Sequence, residues 1–221
     1  MSIQIQGNSG VIAEVDGTTY RALRVTLRPV DYGALGSYRT SLLSGNMAAG
    51  LTAASDVFQT RWSTDNYALI WGLQLDGMVS GGTGFTGGKT SFQAFVSRSW
   101  TADGSGGTPA VLTGNNCKLR TSMATSSMGA IRISTTGALT AGTKTNDAQP
   151  IAQTTFALST SNWTVLYGQS GLYGSSSLEG GGNPAPVVLA RNEGISVQAT
   201  VPATGVWQFG FTLSWSEVAT Y

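Results

Sequence analysis

Hydrophobic and polar residues alternate with a period of two along much of the chain. The clearest case is VWQFGFTLSW at 206–215, where every second side chain is large and apolar. Successive side chains of a strand point to opposite faces of a sheet, so this pattern predicts a half-buried strand. Residues 195–201 alternate in the same way, and turn formers fill 202–205. We therefore predict an antiparallel hairpin over 195–215, whose apolar face needs a partner sheet.

The same alternation recurs throughout the sequence and predicts about eight to ten strands in all. The fold class expected from it is all-β, with two antiparallel sheets packed as a jelly-roll-like β-sandwich. A short helix is expected near 114–123, where GNNCKLRTSM breaks the alternation. The further predicted strands are 20–28, 57–62, 67–79, 90–100, 129–134, 151–158, 163–167 and 185–190.

The first residues differ from the rest of the chain. Residues 1–19 are polar and contain short apolar patches, one of them Ile3 with Ile5. They predict either an N-terminal strand or an extended arm that lies on a neighbouring subunit, and the sequence leaves both open. A chain of 221 residues suits one all-β domain, so 20–221 are predicted to form a single sandwich domain.

The glycine-rich stretch GGTGFTGGKT at 81–90 invites comparison with a phosphate-binding loop. That loop needs a glycine five residues before the Gly88-Lys89-Thr90 tail, and Thr83 occupies the position. A phosphate loop also opens a helix, whereas SFQAFVSRSW after Thr90 alternates as a strand does. The stretch therefore predicts a loop between two strands.

Composition narrows the chemistry. The chain has no histidine, one cysteine, 10% charged residues and a net charge of +1. Histidine-based triads and Cys/His zinc sites are thereby excluded, and no strong field attracts nucleic acid or a membrane surface. We expect no catalytic, cofactor-binding or metal-binding residues, and glycoside hydrolysis by a carboxylate pair is the main enzyme hypothesis left. Neither a signal peptide nor a membrane span is predicted, which indicates synthesis in a cytoplasm.

Three arginines form the densest basic group of the sequence. Arg24 and Arg28 share one face of the predicted strand, and Arg21 lies on the other. They are candidate contacts for an acidic partner surface, while a solvated outer face is the preferred interpretation for an isolated monomer.

The tryptophans divide into two groups. Trp71, Trp207 and Trp215 lie on strongly apolar strand faces and are predicted to be core residues. Trp100 and Trp163 lie beside predicted loops and are the better candidates for contact with a ligand or partner.

Several separated stretches, in order, resemble a group of small virion-associated proteins of tailed bacteriophages. They are AEVDGTTYRALRVTLRPVDYG, LTGNNCKLRTSM, IRISTTGALTAGTKTNDAQP and VPATGVWQFGFTLSWSEV. The resemblance covers most of the chain and implies a non-enzymatic structural role in the virion, as a capsid decoration (cement) protein. It implies the major capsid protein or other virion proteins as partners, and it transfers no catalytic residues.

This resemblance is compatible with the composition. Low charge limits repulsion between copies packed side by side, and self-association as a dimer or trimer suits a shell lattice. The alternative hypothesis is a receptor- or glycan-binding module of a phage tail, based on the tryptophans near loops.

Overall fold

The computed structural model of the chain describes residues 35–48, 50–51, 53–79, 88–158, 171–173 and 186–220. Over these ranges the chain forms strands and connecting loops without a helix. Accordingly, they hold no helix of the length and hydrophobicity needed to cross a membrane. The thirteen strands are β1 (Gly36–Leu43), β2 (Met47–Ala48), β3 (Ser55–Trp62), β4 (Tyr67–Val79), β5 (Gly88–Ala102), β6 (Thr108–Pro109), β7 (Met128–Ile133), β8 (Thr143–Asn146), β9 (Ala152–Leu158), β10 (Gly171–Tyr173), β11 (Val187–Leu189), β12 (Glu193–Thr200) and β13 (Val206–Val218).

The strands form two antiparallel sheets. One is six-stranded, with the order β1-β13-β4-β10, while β2 pairs with β13 and β11 pairs with β4. The other is seven-stranded, with the order β6-β7-β3-β12-β5-β8, while β9 pairs with β5. The prediction of an all-β fold with two antiparallel sheets is therefore confirmed.

The core lies between the two sheets and is rich in aromatic rings. Phe58 of β3 faces Phe211 of β13, with ring centroids 4.9 Å apart. Phe92 of β5 lies 5.8 Å from Trp207 and 5.9 Å from Phe209, again across the sheets. The predicted apolar face of 206–215 is thus buried against the other sheet, where aromatic pairs add about 0.5–1.5 kcal/mol each to area burial.

The predicted hairpin over 195–215 is wrong. β12 pairs with β3 and β5 in the seven-stranded sheet, whereas β13 pairs with β1 and β4 in the six-stranded sheet. The turn at 202–205 therefore carries the chain from one sheet to the other. Alternation shows which face of a strand is buried but does not specify the neighbouring strand.

Most of the other predicted strands are confirmed. The strand predicted over 67–79 has the same bounds as β4. The strand predicted over 90–100 is confirmed as β5, which begins at Gly88. Gly88 and Lys89, predicted as part of the loop 81–90, are therefore strand, and 81–87 lie outside the described residues. The helix predicted near 114–123 is wrong, because those residues form turns and one isolated bridge between Lys118 and Tyr38.

All described residues belong to one compact unit, Tyr32–Tyr221. The predicted arm 1–19, the domain boundary after it and the predicted strands 20–28 and 163–167 lie outside the described residues.

Candidate contact surface

A buried ion pair lies on the seven-stranded sheet. Asp56 of β3 accepts a hydrogen bond from the Lys144 ammonium of β8, and the two side chains are 3% and 4% exposed. The amide nitrogens of Gln59 and Gln198 donate to the same carboxylate at 2.7 and 3.0 Å. The Lys144 ammonium also lies 4.7 Å from the centre of the Trp100 ring. Because three donors already hold the carboxylate, this cluster ties β3, β8 and β12 together and presents no reactive group.

A second buried carboxylate lies near the end of β13. Glu217 is 1% exposed and accepts hydrogen bonds from the Ser126 hydroxyl at 2.6 Å and the Ser127 amide at 3.0 Å. The Trp215 indole donates to it at 3.2 Å. Charge-assisted bonds of this kind are stronger than neutral ones, so Glu217 anchors the segment before β7 to the six-stranded sheet.

Tyr38 fastens the same segment from β1. Its hydroxyl donates to the Ala124 carbonyl at 3.1 Å, and its ring stacks on Trp215 with centroids 5.4 Å apart. Burial, with further contributions from the negative charges of Glu217 and Cys117, raises the pKa of Tyr38 to about 12. Burial also raises the pKa of the half-buried Cys117 thiol, so this cysteine is a poor nucleophile.

Residues 110–127 bridge one edge of the two sheets. The Ala110 amide donates to Ile131 of β7 at 2.8 Å, in the seven-stranded sheet. Further along, the Arg39 amide of β1 donates to Cys117 at 2.8 Å, and the Leu119 amide donates to Ser37 at 3.3 Å. We refer to residues 35–43 and 110–127 together as the seam surface.

The seam surface carries the exposed large apolar side chains of the described chain. Leu43 is 67% exposed, Val111 64%, Leu119 60% and Leu35 37%. Single exposed leucines are ordinary on a protein surface. All four exposed large apolar side chains of the described residues lie in 35–43 or 110–127, which makes this side of the molecule the candidate interaction site.

Basic side chains on the seam surface have no acidic partners within the described residues. Arg39 donates only to the neutral amide of Gln74, at 3.2 Å. Neither Lys118 nor Arg120 forms an ion pair with any described residue. Elsewhere, Arg98 pairs with an aspartate at 2.9 Å, whereas the basic side chains of the seam surface have no ion-pair partner among the described residues.

Among the described residues, β1 also has a free edge. The outward-pointing backbone groups of Ser37 and Arg39 form hydrogen bonds with the 117–119 segment. Along an antiparallel strand, the backbone groups of successive residues point alternately to one side and the other. The N–H and C=O groups of Ser41 and Leu43 therefore point away from β13, and no described residue pairs with them. An open groove of about 220 Å³ adjoins this stretch, bordered by Leu43, Asp76 and Gly210.

The tryptophans differ in part from expectation. Trp100 is 1% exposed, and its indole donates to the Ala102 carbonyl at 3.1 Å. This placement contradicts its predicted role as a ligand or partner contact. Trp207 and Trp215 are core residues, as predicted, whereas Trp71 is only partly buried and donates to the Ser216 hydroxyl at 3.0 Å.

The remaining predicted contacts lie outside the described residues. They are Ile3, Ile5, Arg21, Arg24, Arg28 and Trp163. The seam surface was not among the predicted contact residues. One signal was available, since adjacent Leu42 and Leu43 in a strand must lie on opposite faces, and in a two-sheet sandwich only one of these faces packs into the core.

Within the described ranges no three cysteine, aspartate or glutamate side chains converge as metal ligands would. Comparisons of the chain with protein-family models, curated proteins and solved structures found no match.

Proposed function

We propose that this chain is a non-enzymatic structural protein of a phage particle, which decorates the capsid and stabilises it through contacts made by the seam surface. The observation that carries the proposal is that Leu43, Val111 and Leu119 are exposed along one edge, whereas most other large apolar side chains of the described residues are buried or partly buried. Burial of such side chains against a shell contributes roughly 25 cal/mol per Å² of apolar surface.

The two buried carboxylate clusters support this role. Both hold segments of chain onto the sheets through several hydrogen bonds, with Asp56 on one sheet and Glu217 on the other. A cement protein needs a rigid fold that keeps its shape while its surface is bound to the capsid shell. We include in the proposal a jelly-roll-like connectivity of the sheets, an architecture found in viral capsid domains.

The experiment compares phage particles with and without this protein. Deleting its gene should leave particles that lose their genome at a lower temperature, and adding the purified protein should restore them. A Leu43→Asp variant should restore them poorly, whereas Lys89→Glu, an exposed change away from the seam surface, should restore them fully. Absence of the protein from purified particles would contradict the proposal.

A receptor- or glycan-binding module is the second candidate, and Trp71 favours it. Trp71 lies at a bulge between β4 and β13 and is only partly buried. Partly exposed tryptophan rings stack on flat apolar surfaces and carry a polar edge. A glycan array probed with the protein and with Trp71→Ala would test this candidate, and binding that depends on Trp71 would favour it over the shell role.

A further inference from the structure

We propose that the free edge of β1 receives an extended segment of a partner protein as an added strand, and that the carboxyl-terminal end of this segment is acidic. The inference deepens the proposed function by naming how the partner is bound, and it depends on that function only for the partner being a shell protein.

The backbone provides the hydrogen bonds. Ser41 and Leu43 offer two N–H and two C=O groups on the free side of β1, beyond which no described strand lies. An extended chain can satisfy such groups by joining the sheet, and the backbone bonds provide affinity whatever the side chains are. Unpaired edges are otherwise a liability that proteins block.

Both ends of the free stretch are blocked by other parts of the chain. The added strand can therefore pair only with residues 40–43. At one end, 117–119 already pairs with Ser37 and Arg39. At the other, Gly45 lies so close to Thr135 that a Cβ on the glycine would be 2.5 Å from the Thr135 carbonyl oxygen. The partner therefore contributes a short strand and then leaves the sheet.

A second copy of this chain does not fit the same stretch through its own β1. Two β1 strands paired antiparallel would place the Cys117–Leu119 segment of one copy where Gly45–Met47 of the other runs. Residues 44–47 cannot move aside, since the Ser44 amide donates to Phe209 at 2.8 Å and Met47 pairs with Trp207. The occupant must be a single strand without such a flanking segment.

The charges give the strand a direction. Arg39, Lys118 and Arg120 lie at the end where β1 begins. At the other end, the groove beside Leu43 is bordered by Asp76 of β4, which β13 separates from β1. An antiparallel strand would finish at the end of β1 where these three basic residues are located, so acidic residues at its end complement their charge. A strand with the acidic residues at its start would place them at the opposite end of the free stretch, away from these basic residues.

The test uses two blocked eight-residue peptides of equal composition. One alternates threonine and valine and ends in two aspartates, and the other has the two aspartates first. Titrated against the full-length protein by fluorescence anisotropy, the first should bind at least tenfold more tightly than the second. Equal affinities would overturn the proposed direction.

Ser41→Pro removes the outward N–H, so binding of the first peptide should fall at least tenfold. Ser41→Ala is the matched control, because it loses the hydroxyl bond to Thr212 but keeps the amide, and it should bind as the original protein does. Unchanged binding by folded Ser41→Pro would overturn strand addition.

The double variant Arg39→Glu with Arg120→Glu tests the charges independently of the proline. It should lose the preference for the aspartate-ended peptide and prefer a peptide that ends in two lysines. Lys89→Glu with Arg191→Glu makes the same change of net charge elsewhere and should keep the original preference. A self-dimer in sedimentation that is lost in Ser41→Pro would overturn the choice of occupant. If the peptides do not bind but the protein still stabilises particles, this inference fails and the proposed function stands.

Discussion

The charged side chains of the seam surface and those at the edge formed by β5 and β8 differ in whether they have ion-pair partners. At the β5–β8 edge, Arg98 bonds to both Asp147 and Glu193, and these interactions raise the pKa of its guanidinium. On the seam surface, Arg39 and Arg120 have no acidic partner among the described residues and stand beside exposed Leu119. One edge satisfies its charges within the chain, whereas the other leaves charge, apolar area and backbone groups unsatisfied together. That combination is the basis for the proposed partner contact on the seam surface.

The largest expected effect comes from breaking the buried ion pair beside the β5–β8 edge. Asp56→Ala leaves the Lys144 ammonium buried without its partner, which should lower the free energy of unfolding by about 3–5 kcal/mol. Urea denaturation measures it. Asp65→Ala is the control, because its ion pair with Arg191 is solvent-exposed and should contribute less than about 1 kcal/mol. Equal effects of the two substitutions would show that burial does not matter here.

A smaller loss is expected when the anchor of the seam surface is weakened. The Glu217 carboxylate accepts hydrogen bonds from three donors, whereas the glutamine amide in Glu217→Gln can accept only through its oxygen. The substitution should lower the free energy of unfolding by about 1.5–3 kcal/mol. Hydrogen exchange should show the Ser127 amide losing protection before the amides of β12. Loss of protection that is uniform over both sheets would contradict a local anchoring role.

Alkaline pH tests the other anchor. The pKa of Tyr38 is about 12 in the folded chain and about 10 in an unfolded one. The folded state therefore holds a proton that the unfolded state has lost, and stability should fall as pH rises from about 10 to 12, by on the order of 2 kcal/mol. Tyr38→Phe should remove this part of the pH dependence. A difference between the two proteins that stays constant over this range would contradict the shift.

The smallest effect is expected on the seam surface itself. Arg39→Ala and Leu43→Ser should each change the free energy of unfolding by less than about 0.5 kcal/mol, since these side chains are exposed. The same substitutions should weaken binding to particles. A clear loss of stability in the isolated protein would mean that the seam surface already serves the chain's own fold.

Several features of the fold could be predicted from the sequence because they depend on local pattern. Alternation in 67–79 and 206–215 identified strands and, for the second, the apolar face that is buried. The alternation after Thr90 correctly predicted a strand in place of a helix, although this strand begins earlier than predicted, at Gly88.

Other features could not be predicted because they depend on residues far apart in the chain. Trp100 is the last residue of the strand predicted over 90–100 and is therefore expected beside a loop, yet it is buried beneath Lys144. A charged residue close to the C-terminus, such as Glu217, is expected at the surface. It is buried because residues 126–127 pack over β13 and hydrogen-bond to its carboxylate. Contacts across about 40 to 90 residues have no signature in a local window.

The sequence by itself determined the strand-forming segments and most of the side chains that face the core, since a period of two follows from the geometry of an extended backbone. Only the tertiary structure decided the strand order, the passage of 202–205 between sheets and the free edge of β1. Strand partners are chosen by packing over the whole molecule, so an edge exists only where that packing stops.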